Sequence, residues 1–301
     1  MSSFAGIGLK LLATFLLSIM IAIVKYASTT VPTGEIMFAR SFFALIPLVI
    51  MAMMQGKLRD CVATHRPWKH ATRAVVGVAA MTCWFTALSI IPLPEATAIS
   101  FCAPLLIVVL SAIFLKERVR FYRWTAVFIG FVGVSIILWP RLSASSDELA
   151  SVGVMLALAA VICMAIAAIL VRGMTATETN ASIVFYFTAT AALFSLFSLY
   201  WGWVLPDLKV FSLLVIAGLL GGLGQIAMTQ AFRCAEASLL APFDYSNMVW
   251  AVLLGIFVFD EYPSFPVLLG GTIVVMAGLF IIYRENKLGV TTAQYRPVKT
   301  L

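Results

Sequence analysis

The feature that most constrains this chain is an apolar run of about 20 residues, because the run recurs ten times. A helix rises about 1.5 Å per residue and the hydrocarbon layer of a bilayer is about 30 Å thick, so such a run is long enough to cross it. On that ruler the spans fall at 4–26, 34–54, 72–91, 94–115, 121–139, 151–171, 180–203, 208–231, 236–259 and 265–284. Between them lie breaker-rich stretches such as "VPTGE" (31–35), "IPLPE" (91–95) and "WPRLSASSDE" (139–148), which stop one helix and start the next. The third and fourth spans are so closely joined that they must form an antiparallel hairpin. The chain is 62% hydrophobic and 11% charged, whereas a soluble domain carries about 25% charged residues. The expected fold class is therefore an all-α membrane protein with ten transmembrane helices. The first run is too long for a signal-peptide core and lacks a cleavage site, so it reads as a retained helix.

The net charge of +7 does not form an array suited to nucleic acid. Fifteen of the basic residues sit in alternate loops or the tail: Lys57, Arg59, Arg66, Lys69, Arg73, Lys116, Arg118, Arg120, Arg123, Arg172, Arg233, Arg284, Lys287, Arg296 and Lys299. The opposite loops hold Arg141 and Lys209, and Lys10, Lys25 and Arg40 lie inside spans. The positive-inside rule then places both termini in the cytoplasm. Of the five cysteines none forms a CxxC pair, and His65 and His70 read as solvated loop residues. No metal site or cofactor is expected.

The chain also repeats itself. "FLKERVRF" (114–121) ends the fourth span as "FVFDEYPSF" (257–265) ends the ninth, aligning Glu117 with Glu261, Ala87 with Ala231 and Gly77 with Gly221. "GFVGVSII" (130–137) answers "VMAGLFII" (275–282) after a one-residue shift, and "PEATA" (94–98) answers "AEASL" (235–239) after a three-residue gap. Five spans per unit is an odd number, so the second unit must enter the membrane from the other side. The expected layout is two inverted five-helix repeats, 1–140 and 151–284, with a cytoplasmic tail at 285–301. Inverted repeats are the construction of many secondary carriers, whose sites lie between the halves near the midplane.

With "EIMFARSFFALIPL" (35–48), "ATAISFCAPLLIVVLSAIFLKERV" (96–119), "ASLLAPFDYSNMVWAVLLGIFVFDE" (237–261) and "GGTIVVMAGLFII" (270–282), the chain resembles the drug/metabolite transporter superfamily, specifically its EamA-type members. The resemblance runs from the first span to about Tyr283. It implies carrier-type transport of small organic metabolites across the inner membrane without ATP hydrolysis, and no GxxxxGK[ST] motif is present. Within the family, "VPTGEIMFARSFFALIPL" is similar to alphaproteobacterial carriers that include riboflavin importers. Riboflavin uptake is the first expectation, with S-adenosylmethionine carriage or amino-acid export as alternatives and a monomer or homodimer as the assembly. A multi-span membrane enzyme or a structural subunit is the rival class. The enzyme lacks its usual signature, since no HExxH, paired-carboxylate motif or nucleophile elbow occurs.

Several residues are costly in lipid and so draw attention. Arg40 lies inside the second span, where insertion costs about 2.5–3.5 kcal/mol; it matches the family's second-helix arginine and is a candidate donor to substrate. Asp244, within the ninth span, is the coupling candidate. A flat heteroaromatic guest would suit Trp84, Thr86, Gln225, Thr229, Gln230, Tyr245, Asn247 and Trp250, which offer ring faces and paired amide groups. Lys25 reads as a lysine reaching the interface. Glu117 and Glu261 oppose a helix dipole where they stand, and read as boundary residues that cap the helix that follows. Gly218 and Gly222 form a GxxxG that lets helices approach closely.

Overall fold

The computed structural model describes residues 3–56, 58–64, 66–114, 120–143, 148–174, 177–234 and 240–287. The chain runs through α1 (Ser3–Ala27), α2 (Thr33–Met54), a short α3 (Leu58–Val62), α4 (Pro67–Ile90), α5 (Leu93–Ser100), α6 (Cys102–Phe114), α7 (Phe121–Ser143), α8 (Glu148–Met174) and α9 (Asn180–Leu196). A 3₁₀ turn (Phe197–Trp201) extends α9, and α10 (Leu208–Cys234) follows. A second 3₁₀ turn (Ala241–Tyr245) precedes α11 (Ser246–Phe259), and α12 (Phe265–Lys287) ends the bundle. Among the described residues nine stretches are long and apolar enough to span a membrane, and Phe243–Phe259 supplies a shorter tenth. Large side chains such as Phe128, Trp139, Phe257 and Leu205 face outward, as a lipid solvent permits. The interior is lined with small residues, which bring backbones close in the absence of a hydrophobic drive between helices.

The packing repeats with a period of five spans. α1 lies along α10 as α8 lies along α4, α2 meets α10 as α9 meets α4, and α6 meets α8 as α11 meets α1. The remaining principal pairs, α2 with α9, α7 with α12 and α5 with α11, map onto themselves. This is the pattern that a twofold relation between two five-helix units produces.

The fourth span is expected to be one helix but is two, α5 and α6, interrupted at Phe101. The ninth is interrupted at the matching place, where the 3₁₀ turn gives way to α11 at Tyr245. Pro104 and Pro242 explain the local weakness, since each removes a backbone donor close to the break. Phe101 and Tyr245 stand in the same register as Glu117 and Glu261, 144 residues apart, and their rings meet at 5.3 Å between centroids.

Close approach depends on glycine at the expected GxxxG. A Cβ at Gly222 would stand 2.7 Å from the Ala44 carbonyl oxygen, and one at Gly218 would stand 3.1 Å from that of Arg40, so α10 presses directly on α2.

Candidate substrate site between α1 and α11

Three polar residues of α1 recur at fourfold spacing: Lys10, Thr14 and Ser18 share one helix face, and all three are buried. A polar stripe on an apolar helix needs partners, and the start of the α11 segment supplies them. Lys10 Nζ lies 2.6 Å from Asp244 Oδ1, and Nζ also reaches Met228 Sδ of α10 at 3.0 Å. Thr14 Oγ1 and Ser246 Oγ share a hydrogen bond of 2.8 Å. Ser18 Oγ donates to Asn247 Oδ1 at 3.3 Å, and Trp250 Nε1 donates to Thr14 Oγ1 at 3.4 Å, with its ring edge-on to Phe15 at 5.0 Å. Lys10 is roughly 10 Å along the axis from the start of α1, at a depth where charge is expensive. The pair is lopsided: the Lys10 side chain is 2% exposed and that of Asp244 is 47% exposed.

A second ion pair closes the other end of the same two helices. Lys25 Nζ lies 2.9 Å from Glu261 Oε1 and donates to the Leu88 and Ile91 carbonyls at 3.2 and 2.7 Å. Glu261 Oε2 accepts from the Leu93 backbone N–H at 2.7 Å, so the carboxylate satisfies an orphan donor in the first turn of α5, where the helix dipole also favours a negative charge. Asp260 adopts the left-handed conformation (φ 54°) that turns the chain at the end of α11 and aims Glu261 inward; aspartate is among the few residues that take this conformation readily.

A family model described as the EamA-like transporter family matches residues 4–139 and again residues 151–284. The chain belongs to this family. An S-adenosylmethionine uptake transporter of Rickettsia bellii is 33% identical over 94% of this chain and 94% of its own. A pseudopaline exporter of Pseudomonas aeruginosa is 30% identical over 91% of this chain and 94% of its own. A riboflavin transporter of Rhizobium johnstonii is 30% identical over 74% of this chain and 73% of its own. A crystal structure covering 96% of this chain and 99% of its own superposes with a TM-score of 0.67 at 18% identity, a likeness of fold.

Within this EamA-like bundle the residues singled out from sequence divide into groups. Asp244, Asn247 and Trp250 converge on α1 as described. Gln225 stands one helical turn from Met228, the residue Lys10 touches, so it shares that face of α10. The Gln225 and Gln230 side chains are half-buried with no hydrogen bond to any described residue. Thr229 donates to the Gln225 carbonyl of its own helix at 2.9 Å. Tyr245 points elsewhere, its ring on Phe101 and its hydroxyl against Gly278 of α12. Trp84 is buried in the core of α4, and Thr86, two residues on, projects from a different face, so the two do not line one wall. A crevice of about 400 Å³ between α11 and α12, lined by Tyr245, Met248, Val252, Gly271 and Val275, offers a polar solute almost no partners.

Arg40 is separate from this seam. Its Nη1 reaches Met81 Sδ of α4 at 3.6 Å, and its Nε lies against Gly221 of α10 beside Met20, on the α10 side of α1 and not the α11 side. The Nε is buried without a hydrogen-bond partner, and no described carboxylate pairs with the guanidinium.

Three expectations are corrected. Glu261 does not cap the helix that follows it, because α12 begins only at Phe265; it caps α5 across the bundle. Lys25 does not reach for the interface, since two carbonyls and a carboxylate hold it inside. His70 is buried, 3.4 Å from Glu178, whose other oxygen accepts from the Arg66 backbone N–H at 3.0 Å. Glu117 and His65 lie outside the described residues. Sequence reasoning missed Lys10 as a site residue, although the fourfold spacing of Lys10, Thr14 and Ser18 was a usable signal.

Proposed function

We propose that this EamA-like protein imports S-adenosylmethionine across the inner membrane by alternating access between two inverted halves, with both termini cytoplasmic. The observation that carries the reading is charge of both signs held in an apolar interior on the α1–α11 seam. Charged groups this deep are expensive and mark substrate or ion pathways. S-adenosylmethionine brings an ammonium, a carboxylate and a sulfonium, whereas riboflavin is uncharged at neutral pH. The similarity over nearly the full chain to uptake transporters of that name supports the same reading.

Riboflavin uptake, the first expectation from sequence, stands as the second reading. It is favoured by the amides of Gln225 and Gln230, which have no hydrogen-bond partner among the described residues and could pair with a flat heteroaromatic ring. In either case the proposed substrate-facing groups are Asp244, Asn247, Trp250 and Gln225.

The test is uptake of radiolabelled S-adenosylmethionine by a bacterium that lacks its own carrier for it and expresses this chain. Saturable uptake above the empty-vector control, competed by unlabelled S-adenosylmethionine and not by riboflavin, is the expected result. Competition by riboflavin alone would hand the function to the second reading.

A further inference from the structure

We propose that the crevice between α11 and α12 is a binding site for one acyl chain of a bilayer phospholipid, taken up from the leaflet in which α12 begins. The chain supplies the packing that the matching helices of the first repeat give each other. The site stands whichever solute is carried.

The two repeats differ at this place. In the first, α6 packs along α7, and Gly130 leaves the room that Leu105 fills: a Cβ there would stand 3.1 Å from Leu105 Cδ2. In the second, Val249 follows Leu105 by 144 residues, the register of Glu117 and Glu261, and Val275 answers Gly130. The glycine is gone, and the backbones of α11 and α12 hardly approach each other. Leu105 is 1% exposed, whereas Val249 is 55% exposed. The space left over is the crevice of about 400 Å³, with Val249 and Val275 in its walls.

Chemistry and shape both select hydrocarbon. Packed proteins leave few voids of this size, and a slot opening on the lipid-facing side of two spans is filled from the bilayer. Its polar side chains are already committed: Thr272 Oγ1 donates to the Leu268 carbonyl of its own helix at 2.7 Å, and the Tyr245 hydroxyl lies against Gly278. From Leu268 to Met276 the α12 wall runs about 12 Å along the axis, within the roughly 15 Å of hydrocarbon in one leaflet. One turn of a second copy's helix, about 10–12 Å across and 5.4 Å tall, displaces about 500 Å³, more than the crevice holds. An unbranched chain enters it lengthwise. The chain then backs α11, because Met248 and Val252 line the crevice while Asn247 and Trp250, on the opposite face, reach α1.

The experiment places the full chain in a bilayer containing phosphatidylethanolamine with a diazirine on its acyl chain, irradiates it and maps the adducts by peptide mass spectrometry. Adducts at residues 248–253 and 271–276 should outnumber those at Val152 and Met155 of α8 by about fivefold or more, although Val152 and Met155 are 50% and 60% exposed, much as Val249 and Met276 are at 55% and 60%. Val275→Phe puts a ring into the slot and should remove that excess while leaving the α8 adducts unchanged. Should Val275→Phe fail to insert, Thr272→Phe fills the same slot from its exposed rim. Equal labelling of the two regions in the intact protein would overturn the proposal, and so would an excess that survives the filled slot. Met276→benzoylphenylalanine reads what covers the face: a lipid adduct is expected, and a covalent dimer in its place would overturn the proposal in favour of a second copy.

Discussion

Two ion pairs join α1 to the α11 segment, one towards each end, and they are built on opposite plans. At the Lys25–Glu261 end each charged group is bound several times over. Lys25 holds two carbonyls besides the carboxylate, and Glu261 holds the first turn of α5 besides the lysine. At the Lys10–Asp244 end the acid has the lysine as its one described polar partner and leaves nearly half its side chain open. A buried ion pair repays its desolvation only when geometry is good and the remaining donors and acceptors are used. The first pair meets that condition and reads as a clamp. The second leaves the Asp244 carboxylate nearly half open, and that openness is what a binding site needs.

The largest effect should come from breaking the clamp. Lys25→Met leaves Glu261 without its cation and strips the Leu88 and Ile91 carbonyls of their donor. We expect a loss of about 2–3 kcal/mol of stability, discounted from the deeply buried case because Glu261 is partly exposed, together with abolished uptake. Thermal denaturation in detergent and uptake in cells check the two parts. A clamp variant as stable as wild type would erase the distinction between the ends.

The open pair should respond in the reverse sense. Lys10→Met combined with Asp244→Asn leaves no buried charge stranded, and is expected to lower uptake at least tenfold while moving stability by less than about 1 kcal/mol. A fall in stability matching that of Lys25→Met would make this end a clamp too. Asparagine at this position also tests the coupling role: a pH-gradient response that persists in the variant at reduced rate would remove Asp244 as the coupling group.

Smaller effects sharpen the boundary of the site. Trp250→Phe keeps the contact with Phe15 and loses one long hydrogen bond to Thr14, so half-saturation should rise by about two- to fivefold, in line with about 0.5–1 kcal/mol. Arg40→Met preserves bulk beside Gly221 and removes an unpaired charge on the other side of α1. Uptake is expected to stay within about twofold, read from initial rates corrected for the amount of inserted protein. A tenfold loss would extend the site around α1.

The membrane-spanning architecture was legible because it depends on length and hydropathy, which are local. The repeat was legible through Glu117 and Glu261, although their purpose was not. Nothing near residue 261 signals that its carboxylate caps a helix starting at Leu93, because the donor and acceptor are 168 residues apart. Lys25 was misread for the same reason, since its carbonyl partners belong to the end of another helix. The ring and amide residues were grouped by their chemistry alone. The fold separates them by helix face: Asn247 and Trp250 turn to α1, while Tyr245, two residues before Asn247, turns to Phe101 and α12. Lys10 was overlooked because a lone lysine near a helix start resembles an interface residue until Thr14 and Ser18 are read with it.

The contact of Phe101 with Tyr245 has a mechanical consequence. Each ring sits where its span is broken, so the two breaks rest on one another at a common level. Rigid segments on either side of such a point behave as the arms of a balance. In the proposed alternating-access cycle, tilting one arm inward at one membrane face would swing its counterpart outward at the other, with the two inclined rings as the fulcrum. In that proposed cycle matched arms would need little energy to tip, and a modest difference in ligand contacts would decide which face is open.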